Sequence, residues 1–325
     1  MTATGMTDTI RVGVFLPTSK SQWGPGTDPR ELIDFAARAE RLGYDSVFVG
    51  DSIRVPIVDP LAMLSALAVV TERLTLGTGV LMPVLRRPVQ TAHALASVDR
   101  LAGGRLTVGV GAGFPGTFGR PLHTLSEVSW ARRFARLDET VTLWRQIWKA
   151  DGHTSFHGEL LHFDDIPPSI GPYRPGGPPL WLGGATPAAL ARTGRHYDGW
   201  FPYPPDPHDY RTGLADLRRT AVEAGRDPGT ITPAVFVNVR TADSIESCRR
   251  SLDEFARVNY GLPLEDLEKI QAVAAGTAAQ LADRLTPYIE AGARDLILRL
   301  GALTLREQLA QLERLVGLLP LLRPA

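Results

Sequence analysis

Short apolar runs and stretches of helical period alternate along this chain from residue 10 to its end. Residues 10–16 (Ile-Arg-Val-Gly-Val-Phe-Leu) read as a buried strand closed by Pro17. Next, Leu32, Ile33, Phe35, Ala36, Ala39 and Leu42 recur at helical spacing. Asp28 stands before them as a cap, Pro29 fits the first helical position and Gly43 stops the run. The same beat predicts further strands at 45–49, 74–80, 105–111, 179–182, 198–201, 231–239 and 294–300. Helices are predicted at 60–71, 88–101, 130–149, from Pro187 onward, and at 206–224, 244–257, 277–291 and 303–319.

Strands that alternate strictly with helices imply an α/β fold with a parallel sheet. Eight such units point to a closed (β/α)8 TIM barrel with loop insertions at its C-terminal face; an open doubly wound sheet is the alternative. The beat breaks at about 113–130, 151–178 and 258–275, where polar, Pro- and Gly-rich chain replaces regular pattern. The segment 151–178 reads as a short hairpin with an irregular return. Residues 1–9 are expected to be a flexible tail before a single domain spanning 10–325.

The stretch 74–83 (Leu-Thr-Leu-Gly-Thr-Gly-Val-Leu-Met-Pro) stands out within this pattern. Two glycines within three residues weaken a strand, and a bulge or a ligand close to the backbone is the usual compensation. In a barrel the chemistry sits at the C-terminal strand ends. Glycine gathers there: Gly50, Gly77, Gly79, Gly111, Gly113, Gly183 and Gly184. The turn Gly183-Gly184-Ala185-Thr186-Pro187 is the best phosphate candidate, because glycines would admit an anion to a helix N-terminus; a plain strand-to-helix turn capped by Thr186 is the alternative. His123, in the loop after the fourth strand, is an acid–base candidate by residue type. Trp23, Phe114, Phe118, Trp130, Phe156, Tyr173 and Tyr203 fall in connecting loops, where they either line a substrate cavity or fasten the loops to the barrel.

Composition narrows the function classes. The 325 residues include 35 Lys+Arg and 35 Asp+Glu, a formal net charge of 0, which argues against nucleic acid or an anionic membrane as partner. No apolar run reaches the length of about 18 residues that a membrane span needs. The single cysteine, Cys248, excludes an intrachain disulfide and suits a reduced cytoplasmic setting. His153, His157 and His162 share the hairpin without any Cys, so no metal site is expected. Asp99 and Arg105 could pair, and one-off ion pairs more often fix loops than react.

Taken together, several segments resemble the luciferase-like flavin-dependent oxidoreductases and their relatives that use the deazaflavin coenzyme F420. The residues that carry the resemblance are 41–51 (Arg-Leu-Gly-Tyr-Asp-Ser-Val-Phe-Val-Gly-Asp), 72–80 (Glu-Arg-Leu-Thr-Leu-Gly-Thr-Gly-Val) and 97–106 (Ser-Val-Asp-Arg-Leu-Ala-Gly-Gly-Arg-Leu). To these are added 108–113, 179–184 and 198–201, in that order along nearly the whole chain. The resemblance implies an oxidoreductase that transfers hydride or inserts one oxygen atom into a small organic substrate, with coenzyme F420 or FMN as cofactor, often as a homodimer. It implies a cis peptide at Gly79–Val80 behind the cofactor ring, with Thr78 beside it. Gly113, Phe114, Thr117, Gly183, Gly184, Ala185 and Thr186 would face the ribityl and phosphate portion. Asp51 matches the acidic position near the ring, and Asp99 and Arg105 would tie the third helix to the fourth strand. Many F420-using relatives place a His directly after it, where this chain has Ser52. A phosphate-binding lyase or isomerase barrel and a non-catalytic flavin-binding barrel are the alternatives.

Overall fold

The computed structural model describes residues 9–113 and 119–323. Eight parallel strands close a barrel: β1 (Arg11–Phe15), β2 (Ser46–Val49), β3 (Thr75–Leu81), β4 (Leu106–Val110), β7 (Leu180–Gly183), β8 (Gly199–Phe201), β9 (Thr232–Thr241) and β11 (Asp295–Leu300). Each pairs with the next in that order, and β11 pairs with β1 to complete the ring. The intervening strands β5 (Thr154–His157) and β6 (His162–Ile166) form a separate antiparallel hairpin. The remaining strand, β10 (Val273–Gly276), joins the upper part of β9, whose lower part pairs with β8. Closure removes, from the eight-strand ring, the edges that an open doubly wound sheet would leave; among the described strands of that sheet, β10 alone keeps a free side.

Helices α1 (Glu31–Arg41), α2 (Pro60–Val70), α3 (Pro88–Leu101), α4 (Arg120–Leu125), α5 (Arg133–Lys149), α6 (Pro187–His196) and α7 (Pro207–Glu223) follow in chain order. They continue with α8 (Ile245–Tyr260), α9 (Leu264–Leu267), α10 (Ala278–Glu290), α11 (Leu305–Arg314) and α12 (Leu319–Leu322). Asp59, Thr186, Asp206, Ser244, Thr277 and Thr304 each cap the helix they precede through the side-chain oxygen. Among the described residues no helix is long and apolar enough to cross a membrane.

Two expectations need correction, and one is extended. The stretch 258–275, read as irregular, contains α9 and the start of β10; the small, alanine-rich wording 272–276 hid a strand whose partner lies 35 residues earlier in β9. The helix expected from 130 starts at Arg133, because Trp130 packs edge-on against His123 and Arg132 takes a left-handed turn (φ 58°). Asp99 and Arg105, expected to tie the third helix to the fourth strand, also reach further. Burial raises the Asp99 pKa while a hydrogen bond from the Leu106 N–H of β4 opposes the rise, and other elements are fastened as well. Asp99 Oδ2 accepts from the backbone N–H of Tyr173 at 2.9 Å and so holds the return of the insertion. Arg105 donates to the carbonyls of Ala68, Thr71 and Leu74, closing the end of α2 against β3.

Inside the barrel large aromatic rings occupy space that glycines on adjacent strands release. Phe48 and Trp181 stack with centroids 5.6 Å apart, and Phe15, Phe201, Ala234 and Ile297 complete the cluster. A Cβ on Gly77 would collide with the Phe48 ring, and one on Gly199 with the Trp181 indole. The N-terminal end of the lumen is stoppered by Arg11 and Asp295, 3.5 Å apart. The lumen is therefore a filled core, so a ligand at the C-terminal end of the barrel would have to sit above it, at the mouth.

Candidate active site

β3 organises the mouth. Between Thr78 and Leu81 its register against β4 slips: three steps on β3 match two on β4, which is a bulge. The peptide Gly79–Val80 within it is cis. The missing side chain of Gly79 serves the lumen, since a Cβ there would sit 2.7 Å from the Phe15 ring and 3.0 Å from that of Phe201. Thr78 is fully buried and donates its hydroxyl to the Gly109 carbonyl at 2.7 Å, so its side chain joins β3 to β4 and does not reach the mouth. Val80 is half-buried and does reach it. A Cβ on Gly111 would come within 3.0 Å of Val80, and one on Gly183 within 3.4 Å. Val80 thus forms a low apolar floor with bare backbone on the strands beside it. That shape fits a flat ring laid across β3, β4 and β7.

Beside the floor, Gly184 (φ 107°) turns the chain out of β7 into α6, with Ala185 and Thr186 exposed. Thr186 Oγ1 accepts from the Ala189 N–H at 3.3 Å. The positive end of α6 therefore opens at the rim, where a phosphate would be met by backbone N–H groups. Gly113 (φ 90°) lies on the same rim, after β4. Phe114 and Thr117, expected against the cofactor, and Phe118 lie outside the described residues.

Asp51 leaves β2 and turns toward the end of β3. Its Oδ2 accepts from the Met82 N–H at 2.9 Å, and its Oδ1 pairs with Arg86 Nη2 at 3.0 Å. Arg86 also holds Asp59 at 2.9 Å. The Asp51 side chain is 4% exposed. Burial pushes its carboxyl above the usual carboxylate range, against the opposing pull of Arg86 and the Met82 N–H. Ser52 faces its own loop, accepting from the Arg54 N–H at 3.2 Å. His123 is 1% exposed; its Nδ1 faces the Ser129 carbonyl and its Nε2 the Ala112 carbonyl, each at 3.2 Å. It joins the two ends of the loop that follows β4.

The histidines of the hairpin stand apart from the mouth. His153 pairs with Asp165 and His157 with Asp164, both on exposed β-hairpin surface. Trp23 donates to the Pro17 carbonyl at 2.6 Å, and Phe156 is buried under the hairpin, so both fasten loops. Tyr203 lies near the mouth, where burial and the neighbouring Tyr260 push its phenol pKa up.

The far side of the mouth holds residues that sequence reasoning left without a role. Phe15 and Phe236 pack edge-on at 5.4 Å. Arg299 caps β11, and Tyr260 and Asn238 bond to one another at 3.1 Å beside it. An arginine set in the apolar run 296–300 was a visible signal for Arg299. For Arg86 and Tyr260 there was none, since helix ends and loop arginines are ordinary.

A model of the luciferase-like monooxygenases matches residues 10–295. This chain belongs to that family. Among curated relatives, the phthiodiolone/phenolphthiodiolone dimycocerosates ketoreductase of Mycobacterium tuberculosis is 31% identical over 252 residues, 66% of this chain and 63% of its own. The F420-dependent glucose-6-phosphate dehydrogenase of Intrasporangium calvum is 34% identical over 197 residues, covering 56% of this chain and 55% of its own. This chain thus spans less than two thirds of the length of these curated relatives. Among solved structures, an F420-dependent secondary alcohol dehydrogenase bound to an F420-acetone adduct superposes with a TM-score of 0.81 at 20% identity, covering 97% of this chain and all of that one. That likeness shows a shared barrel fold.

Proposed function

We propose that this chain is an oxidoreductase that holds coenzyme F420 or FMN at the barrel mouth and acts on a small organic substrate. The observation that carries the reading is the Val80 floor between Gly111 and Gly183, adjoining the open N-terminus of α6. Val80 and the backbone of 79–80, 111 and 183 would hold the ring, while Gly113, Gly184, Ala185 and Thr186 would face the ribityl and phosphate portion. The bound cofactor supplies hydride transfer, or activation of dioxygen where it is reduced FMN. The names of the relatives, a ketoreductase and two F420-dependent dehydrogenases, favour hydride transfer and coenzyme F420.

The protein's part is to exclude water, orient the substrate and handle a proton. Asp51 is the candidate proton donor, since it stands at the mouth beside the bulge and its burial favours the protonated carboxyl. His123 is the second candidate; like the Asp51 oxygens, which face Met82 and Arg86, both its ring nitrogens are engaged in the resting site. We assign the chain to the cytoplasm and to a homodimer. The dimer reading rests on Leu101, Ile170 and Tyr173, exposed apolar residues gathered where Asp99 and Arg100 hold the insertion return.

Titration of the apoprotein with FMN, reduced FMN and coenzyme F420 tests the proposal. Submicromolar binding of coenzyme F420 is expected; tight binding of FMN instead selects the flavin branch, and binding of none overturns the reading. Light scattering across a dilution series reports the dimer.

A further inference from the structure

Arg299 stands apart from the other arginines that face the barrel axis. On β11, Ile297 packs in the lumen with Phe15, Phe48 and Trp181. Strand alternation therefore puts Arg299 on the same inner face, one layer higher, at the mouth. Arg11 at the lower end is paired with Asp295, and Arg86 at the rim with Asp51 and Asp59. Arg299 has no carboxylate partner among the described residues. Its Nη1 donates to the Tyr260 hydroxyl at 2.7 Å and its Nη2 to Asn259 Oδ1 at 3.3 Å, while Nε has no partner. The guanidinium lies 5.0 Å from the Phe255 ring, 5.1 Å from Tyr260 and 5.7 Å from Phe15.

The surrounding hydrogen bonds have a direction. Asn238, fully buried, donates through Nδ2 to Gln271 Oε1 at 2.9 Å, so its Oδ1 is left to accept. The Tyr260 hydroxyl donates to that Oδ1 at 3.1 Å and can then only accept from Arg299. Arg299 is the terminal donor of a chain that runs Arg299 to Tyr260 to Asn238 to Gln271. It is held in place, and its charge is answered only by neutral acceptors and ring faces. A half-buried cation in that condition stabilises an incoming anion more than a solvated surface arginine could.

Its place in the ring of strands gives the ligand's place. Counting round the closed barrel, β11 is four strands from β4 in either direction. Arg299 therefore faces the Gly111–Val80–Gly183 floor from across the mouth. We infer that Arg299 is the specificity residue of the substrate half of the mouth, and that the substrate carries a carboxylate or phosphate group. That inference rests on the cofactor occupying the Val80 side. The walls contributed by Phe236 and Tyr260, both half-buried, would pack the uncharged part of the same molecule.

Calorimetric titration with inorganic phosphate, benzoate and the neutral benzamide, on apoprotein and on coenzyme-loaded protein, tests it. Loaded protein has the α6 terminus filled, so phosphate binding there no longer counts. Saturable binding of phosphate or benzoate is expected, about tenfold or more tighter than benzamide. Response to phosphate alone names a phosphoester, and response to benzoate alone a carboxylic acid. In Arg299→Met, anion affinity should fall about tenfold or more while coenzyme affinity stays within about threefold. Arg299→Lys should retain part of the anion affinity and Tyr260→Phe should weaken it, and these two decide the matter if Arg299→Met does not fold. Benzamide binding as well as benzoate, no anion binding, or anion binding indifferent to Arg299 would overturn the inference. If neither coenzyme binds while the anions still depend on Arg299, the cofactor reading fails and the anion subsite stands.

Discussion

At the scale of single residues, the glycines of β3 and its neighbours divide by what occupies the space they leave. Gly77 yields to Phe48, so Gly77→Ala should destabilise the protein by about 1–3 kcal/mol through overpacking, read as a lowered midpoint in urea. Gly111→Ala meets only the half-buried Val80 at 3.0 Å. It should cost little stability and weaken coenzyme binding by about tenfold or more, since the added methyl rises from the floor itself; equal loss of stability in both variants would contradict the division. Asp51→Asn separates proton handling from clamping. The amide can still accept from the Met82 N–H, and Arg86 keeps Asp59. A fall in kcat of about 100-fold or more with coenzyme affinity unchanged is expected of a proton donor, whereas a lower Tm with normal turnover would leave Asp51 a structural clamp. In the wild type, the rate of a reduction that draws its proton from Asp51 should decline as pH rises past the Asp51 pKa.

At the scale of elements, caps and closures decide where the strand ends point. Arg105 bonds three carbonyls and the Thr71 hydroxyl, so Arg105→Met strands several acceptors at the end of α2 and should cost about 2–4 kcal/mol, measured by urea unfolding. Most elements were legible in the chain because their period, caps and breakers agreed: Asp59-Pro60, Thr186-Pro187, Asp206-Pro207 and the Thr277/Gln280 capping box all open helices where expected. The strand Val273–Gly276 was not. It has four residues, two of them Ala, and its stability comes from pairing with β9, a contact that no local window contains. The start of α5 was displaced for a similar reason: Trp130 has good helical neighbours but a better partner in His123, which lies in another element.

At the scale of the whole molecule, closure of the barrel buries charge at its lower end. Asp295 stoppers the lumen there, and burial pushes its carboxyl up to about 6, opposed by Arg11. A carboxyl whose folded pKa lies above its unfolded value near 3.8 favours the folded state when protonated, so its contribution is full below about 4 and lost as pH rises through about 6. Asp295→Asn, which does not titrate, should therefore gain on wild type between pH 4 and pH 7 by on the order of 2 kcal/mol, checked by urea unfolding across that interval. A difference that stays flat with pH would show that Arg11 keeps Asp295 ionised throughout.

Local information in the sequence settled the beat of strands and helices, most caps and the family, and narrowed the glycine pair of β3 to a bulge or a close ligand. Each of these depends on neighbours within about one helical turn or on ordered motifs. The tertiary structure alone decided what each glycine makes room for, because Phe48, Phe15 and Val80 come from other strands or turn on the slip of a register. It alone joined Asp51 to Arg86 and Met82, 35 and 31 residues away. It alone set Arg299 opposite the Val80 floor, since which residues face each other across a mouth is fixed by ring closure and strand order, and neither is written in any one segment.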